Sequence, residues 1–360
     1  MLNVFLRSFN DEAIDVRGKI VGLYVFLIAL NVAAWVWALA AFHNYPTLLG
    51  IAFLAYGFGL RHAVDADHIA AIDNVTRKLM QEGKRPVAVG FFFSLGHSTV
   101  VVLASIAVAV TATAFKGRLE SFHAIGNIVG TSISAAFLLL IALINVFILI
   151  NVYKVFQRVK KGGNLADEDL DILLSAKGGL FARIFWPLFC MIASSWHMYP
   201  LGFLFGLGFD TATEIGLLGI SAAEASDGLS IWSILAFPAL FTAGMTLIDT
   251  TDSILMLGAY GWAFVKPLRK LYYNMTITFV SIVVALIVDG IETLGLIGDE
   301  FGRTGVLWDA VISLNDNFGV LGYLIIGIFV VSWLVSVAIY RLKGYSQLEI
   351  LATRSSPALR

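Results

Sequence analysis

Cysteine occurs once in the 360 residues, at Cys190, so the chain can form no disulfide within itself and no thiolate cluster for a soft metal. Charge is scarce too. Asp, Glu, Lys and Arg make up 14% of the sequence, against about 25% in an average soluble domain. The net charge of −1 supplies no basic field for nucleic acid, and none is expected as a partner. There is no Gly-x4-Gly-Lys-Ser/Thr sequence, so no built-in nucleotide-driven motor is expected, and no His-Glu-x-x-His, which a membrane zinc protease would need. What fills the chain is apolar, at 59% of residues and a mean hydropathy of +0.85. A soluble fold could not bury that much, so the chain reads as an all-α polytopic membrane protein.

Apolar runs of about 20 residues mark the spans. They fall at Val21–Phe42, Leu48–Ile72, Val87–Phe115, Ile125–Val152, Ile184–Gly208, Ile231–Val265, Tyr273–Ile297 and Leu321–Tyr340, which predicts eight transmembrane helices. The first run has no small-residue cleavage site and is long enough to span, so no signal peptide is expected. The segment Phe209–Gly228 is too polar for a free span and reads as a re-entrant piece or a continuation of the fifth helix past a break. With a cytoplasmic N-terminus, twenty of the 24 Lys and Arg fall on the inside, three (Lys116, Arg118, Arg303) on the outside, and Arg61 in the membrane. Positive residues mark the inner side, so both termini are expected in the cytoplasm. The inside set includes Arg77 and Lys78, read as part of the loop after the second span. The chain divides into four spans (1–156), a cytoplasmic linker (157–183), four more spans (184–342) and a cytoplasmic tail (343–360), together forming one membrane domain. Shifting the chain by 187 residues lays Gly57 on Gly244, Leu60 on Leu247, His62 on Asp249 and Asp65 on Asp252, which suggests two parallel-related halves. After the seventh span Glu292, Asp299, Glu300, Asp309 and Asp316 face only Arg303, and read as an acidic outer vestibule or as a default of topology.

The second span holds what hydrocarbon does not tolerate: Arg61-His-Ala-Val-Asp-Ala-Asp-His68. An ionisable group at that depth costs at least about 2.5–3.5 kcal/mol when unpaired, so five of them require partners. Imidazole and carboxylate together suit a divalent transition metal. On a regular helix Arg61, His62, Asp65 and His68 share a face, while Asp67 points elsewhere. Either Asp67 serves another helix, or the span unwinds here, which Gly57-Phe-Gly59 would permit. The structural alternative pairs Arg61 with Asp65 and leaves both histidines and Asp67 unexplained.

Three further clusters accompany it. In the third span His97 sits between Gly96 and Ser98, small residues that let a neighbouring helix approach closely. Asp210 and Glu214 in Leu207-Gly-Phe-Asp-Thr-Ala-Thr-Glu214 are one helical turn apart, with a helix start capped by Asp210 as the alternative. Asp249 and Asp252 in Gly244-Met-Thr-Leu-Ile-Asp-Thr-Thr-Asp252 share a face deep inside the sixth span. His197 marks a helix interruption and reads as structural, and His43 and His123 sit at span ends.

The run Arg61-His-Ala-Val-Asp-Ala-Asp-His-Ile69 resembles the signature of the nickel/cobalt transporter family, permeases of eight spans. The other three motifs resemble that family's remaining signatures in the same order, so the likeness covers roughly residues 50–257. The resemblance implies high-affinity uptake of nickel(II), cobalt(II) or both across the cytoplasmic (inner) membrane. It also implies that His62, Asp67 and His68 form the essential His-x4-Asp-His, with Asp65 beside them. The metal would be the transported substrate; neither a prosthetic group nor an obligatory protein partner is expected. His97, Asp249 and Asp252 would complete or relay the coordination, and Asp210 and Glu214 remain candidate ligands. The rival classes are a divalent-metal exporter, which often carries a His-rich cytosolic loop absent from Gln157–Lys177, and an intramembrane metalloenzyme.

Overall fold

The computed structural model describes residues 11–12, 14–111, 192–207, 229–263 and 267–342 throughout, with short runs and single positions inside 128–157 and 217–224. Every regular element among them is helical, and beside the short turns Ser195–His197 and Ile231–Ile234 they are α1 (Val16–Phe42), α2 (Pro46–His62), α3 (Ala66–Gln81), α4 (Val89–Thr111), α5 (Met198–Gly206), α6 (Ala236–Ala263), α7 (Pro267–Glu300), α8 (Val306–Asp316) and α9 (Phe318–Leu342). A further apolar span covers Thr131–Lys154. Among the described residues five helices are long and apolar enough to cross a bilayer, or up to seven spans if each of two bent pairs counts as one. The fifth expected span, Ile184–Gly208, is described only from residue 192 onward.

Helix α1 shows why the bundle needs a bilayer. Its inner face buries Leu23, Leu27, Ala34 and Ala38, while its outer face leaves Val21, Val25, Ile28, Val32 and Val36 more than half exposed. A helix apolar all round belongs in a core or in lipid. Within the bundle, helices meet where side chains are smallest. A Cβ added to Gly59 of α2 would lie 2.1 Å from the Phe241 carbonyl oxygen of α6. In α4 and α5 the fit is reciprocal: a Cβ at Gly96 would lie 2.0 Å from the Tyr199 carbonyl, and one at Gly202 2.0 Å from that of Phe93. Close backbone approach of this kind is how membrane helices associate without a hydrophobic drive between them.

Two expectations need correction. Arg77 and Lys78 are not in a loop, because α3 runs on to Gln81 and buries both. Arg77 donates to Thr278 Oγ1 of α7 at 2.7 Å and to Asn74 Oδ1 at 2.8 Å, and Asn145 donates to the same Asn74 oxygen at 2.7 Å. Lys78 donates to the Ile192 carbonyl at 2.5 Å. Thr278 and the Ile192 carbonyl, both remote in sequence, meet these charges, so the α3 sequence alone could not place them. Glu292 likewise does not belong to an exposed acidic loop: α7 continues to Glu300 and buries Glu292, whose carboxylate accepts from Ser134 Oγ at 3.0 Å.

Gly59→Val forces a side chain into the Phe241 carbonyl and is expected to cost about 1–3 kcal/mol, as overpacking does. Gly57→Ala, with nothing within 4 Å of its added Cβ, is expected to be neutral. Thermal unfolding of both variants in detergent checks this.

Candidate metal site

The second span is broken. α2 ends at His62, α3 begins at Ala66, and their axes bend by 50°. At the break Val64 N donates to the Arg61 carbonyl at 3.0 Å and Asp65 N to the His62 carbonyl at 2.9 Å, tightening the last turn so that it cannot continue. The regular helix with Arg61, His62, Asp65 and His68 on one face is therefore not formed. Gly57 and Gly59 are not where it breaks either, for both lie inside α2.

Asp65 stands at the N-cap of α3, where a carboxylate ordinarily accepts from the first free N–H groups. It makes no such bond. Instead its Oδ2 accepts from His62 Nδ1 at 2.7 Å, a pairing that replaces the alternative one between Arg61 and Asp65. His68 lies in the first turn of α3, and its Nδ1 donates to Asp249 Oδ2 of α6 at 3.2 Å. Asp249 Oδ2 also accepts from Ser94 of α4. The α4–α6 contact that allows this is tight, since a Cβ on Gly90 would lie 2.0 Å from the Asp249 carbonyl oxygen.

Both Nδ1 atoms are thus committed to carboxylates, which directs the Nε2 atoms elsewhere. His62 Nε2 lies 2.9 Å from His97 Nε2 of α4. His68 Nε2 is buried with no hydrogen-bond partner among the described residues. One ligand nitrogen from each of His62, His68 and His97 lies within 4.8 Å of the others. Ring centroids are 4.7–4.8 Å apart on all three sides of the triangle. The rings of Phe93, 4.8 Å from His68 and edge-on, and Phe241, 5.6 Å from His62, close the cluster with apolar surface. All three histidines are at most 2% exposed. Three buried nitrogen donors, two of them backed by carboxylates, form an arrangement suited to a divalent transition-metal ion.

Not every expected residue joins them. Asp67 stands in the first turn of α3, buried, and outside the three-histidine group. Asp252 lies one turn beyond Asp249 on α6, with its Oδ2 buried and without a hydrogen-bond partner among the described residues. Asp210 and Glu214 lie outside the described residues, as does His123. His197 is structural, its Nδ1 accepting from the Ala193 and Ser194 amides at 2.9 and 3.2 Å, and His43 bonds within its own helix end.

Several residues escaped the sequence reading. Ser94, Phe93 and Phe241 line the cluster, yet serine and phenylalanine in an apolar span carry no signal of their own. Asp73 is fully buried immediately past the expected end of the second span. It accepts from Tyr260 of α6 and from Ser281 Oγ of α7 at 2.8 Å, with Arg77 a turn further on. An acid at i+5 from His68 was the available clue.

Fold and site together define a polytopic helical membrane protein with a buried cluster of nitrogen donors fit for a transition-metal ion. A family model described as high-affinity nickel-transport protein matches residues 48–339, and the chain belongs to that family. It is 64% identical over 336 residues to the high-affinity nickel transport protein of Cupriavidus necator, covering 93% of this chain and 95% of that one. It is 43% identical to the high-affinity nickel-transport protein NixA of Helicobacter pylori, over 90% of this chain and 96% of that one. It is 40% identical to the cobalt transport protein NhlF of Rhodococcus rhodochrous, over 88% and 89% respectively. No solved structure matches.

Removing the hydroxyl that steadies Asp249 is expected to loosen the backing of His68. Losing such an outer partner costs roughly 10–100-fold in metal affinity. Equilibrium nickel binding to purified Ser94→Ala against wild type, at equal thermal stability, measures it.

Proposed function

We propose that this chain carries nickel(II), cobalt(II) or both into the cell across the cytoplasmic membrane, selecting the ion at His62, His68 and His97. The observation that carries this reading is the convergence of three buried imidazoles, with carboxylates behind two of them. Asp65 and Asp249 then act chiefly as outer partners that fix tautomer and ring orientation, keeping each Nε2 lone pair available. Asp67, in the first turn of α3, and Asp252, a turn beyond Asp249 on α6, are the further acids that hand the ion on. Coordination must be firm enough to select and weak enough to release. Eight spans with both termini inside fit the distribution of Lys and Arg. A dication entering down a 100 mV potential gains about 4.6 kcal/mol, at ~2.3 per charge, so secondary transport needs no nucleotide.

The test is radiotracer nickel uptake into proteoliposomes carrying an inside-negative potential, with wild type and His68→Ala at matched insertion. Uptake that depends on the potential, is competed by cobalt but not manganese, and is reduced to the empty-liposome level by His68→Ala is the expected result. Unchanged uptake by His68→Ala overturns the site, and accumulation favoured by the opposite potential overturns the direction.

A further inference from the structure

The last helix touches the bundle along one narrow stripe. In α9 Gly322 and Ile325 are buried and Leu321 and Phe329 partly so, while Val320, Tyr323, Leu324 and Ile328 face outward. Those four inward residues recur at helical spacing. Leu321, Ile325 and Phe329 share one apolar cluster with Val64, Ala66, Ile69 and Ala70, the residues of the break and of the first turn of α3, and with Val284, Val288 and Ile291 of α7. Gly322 lies directly against Val64 and Ile69.

At the centre of this contact stands one backbone atom. A Cβ added to Gly322 would lie 1.5 Å from the Val64 carbonyl oxygen and 3.2 Å from Ile69 Cδ1. Nothing larger than hydrogen fits there. The Val64 carbonyl is one of the groups that the break sets free, for among the described residues no backbone N–H donates to it. An unbonded carbonyl in hydrocarbon is costly unless protein covers it. Gly322 supplies that cover through its Cα hydrogens, a weak but recurrent contact. Val64 lies between His62, which ends α2, and His68 in α3.

We propose that Gly322 is a positioning residue of the metal site: the seat on which the broken segment rests, setting how far apart His62 and His68 are held. The last helix thereby tunes metal affinity without touching the metal. This rests on the three-histidine reading above. It assigns a role to a helix that lies beyond all four sequence motifs, which end near Leu257.

The experiment uses the full chain in proteoliposomes and in detergent. Gly322→Ala overfills the seat, and Ile325→Val, which removes one methylene from the same stripe, loosens it. Gly327→Ala, with nothing within 4 Å of the added Cβ, is the control. Each is measured for the nickel concentration at half-maximal uptake and for the visible absorption of bound cobalt(II), which reports coordination geometry. Gly322→Ala is expected to raise the half-saturation concentration about tenfold or more, the scale of losing an outer partner. Ile325→Val is expected to raise it severalfold, and both are expected to alter the cobalt(II) band, while Gly327→Ala matches wild type. Wild-type half-saturation and an unchanged band in both variants overturn the proposal. So does failure of Gly322→Ala to insert alongside wild-type behaviour of Ile325→Val, because the contact then serves folding alone. His68→Ala run in parallel separates the two readings: if it keeps wild-type uptake, the three-histidine site itself is wrong; if it loses uptake while both seat variants stay normal, only the role of Gly322 fails.

Discussion

Inside a bilayer no water repairs a broken helix or an unpaired charge, so every carbonyl and carboxylate there must find its partner within the protein. The interruption at Ala63–Asp65 concentrates this constraint. It frees backbone groups at mid-span and places two histidines and two aspartates beside them. The surrounding helices answer each in turn. His62 turns to Asp65, His68 to Asp249, and the Val64 carbonyl to the bare backbone of Gly322. Once those pairings are made, three imidazole nitrogens remain that face one another. The cluster is thus the residue of polar satisfaction around a break, and its geometry depends on helices that contribute no ligand.

The supports of the site are mainly close backbone contacts. α4 brings His97, and α5 holds α4 through interlocking glycines and carbonyls. α6 brings Asp249, and Gly59 of α2 and Gly90 of α4 allow it to approach both neighbours.

A second polar layer lies along α3 beyond the histidines. Asp73, Asn74 and Arg77 reach Tyr260 on α6, Ser281 and Thr278 on α7, and Asn145 on the Thr131–Lys154 span. Buried groups of this kind cost desolvation energy and persist where a register must be unique. Here they tie the half of the span that follows the break to α6, α7 and the Thr131–Lys154 span, while the half before it packs on α6 through Gly59. The two halves of the broken span therefore share α6 and differ in their other anchors.

Composition and a period of apolar runs were enough to establish a helical membrane protein, because hydrocarbon demands apolar side chains in runs of a set length whatever the packing. The motifs at His62–His68, His97 and Asp249 were legible for the same reason, since a charged residue in such a run stands out against its neighbours. The division of labour among them was not legible. Whether Asp65 faces a metal, an arginine or a histidine depends on where the helix breaks, and of the two glycines that seemed to invite the break, Gly59 serves a contact with α6 instead. Arg77 and Glu292 looked like surface charges because their partners lie on helices remote in sequence, and Gly322 carries no chemical signal at all. Chemistry that must be present to survive in lipid was written in the sequence; which atoms meet was decided only by tertiary packing, because a carbonyl or a carboxylate acquires its role from the neighbour that covers it.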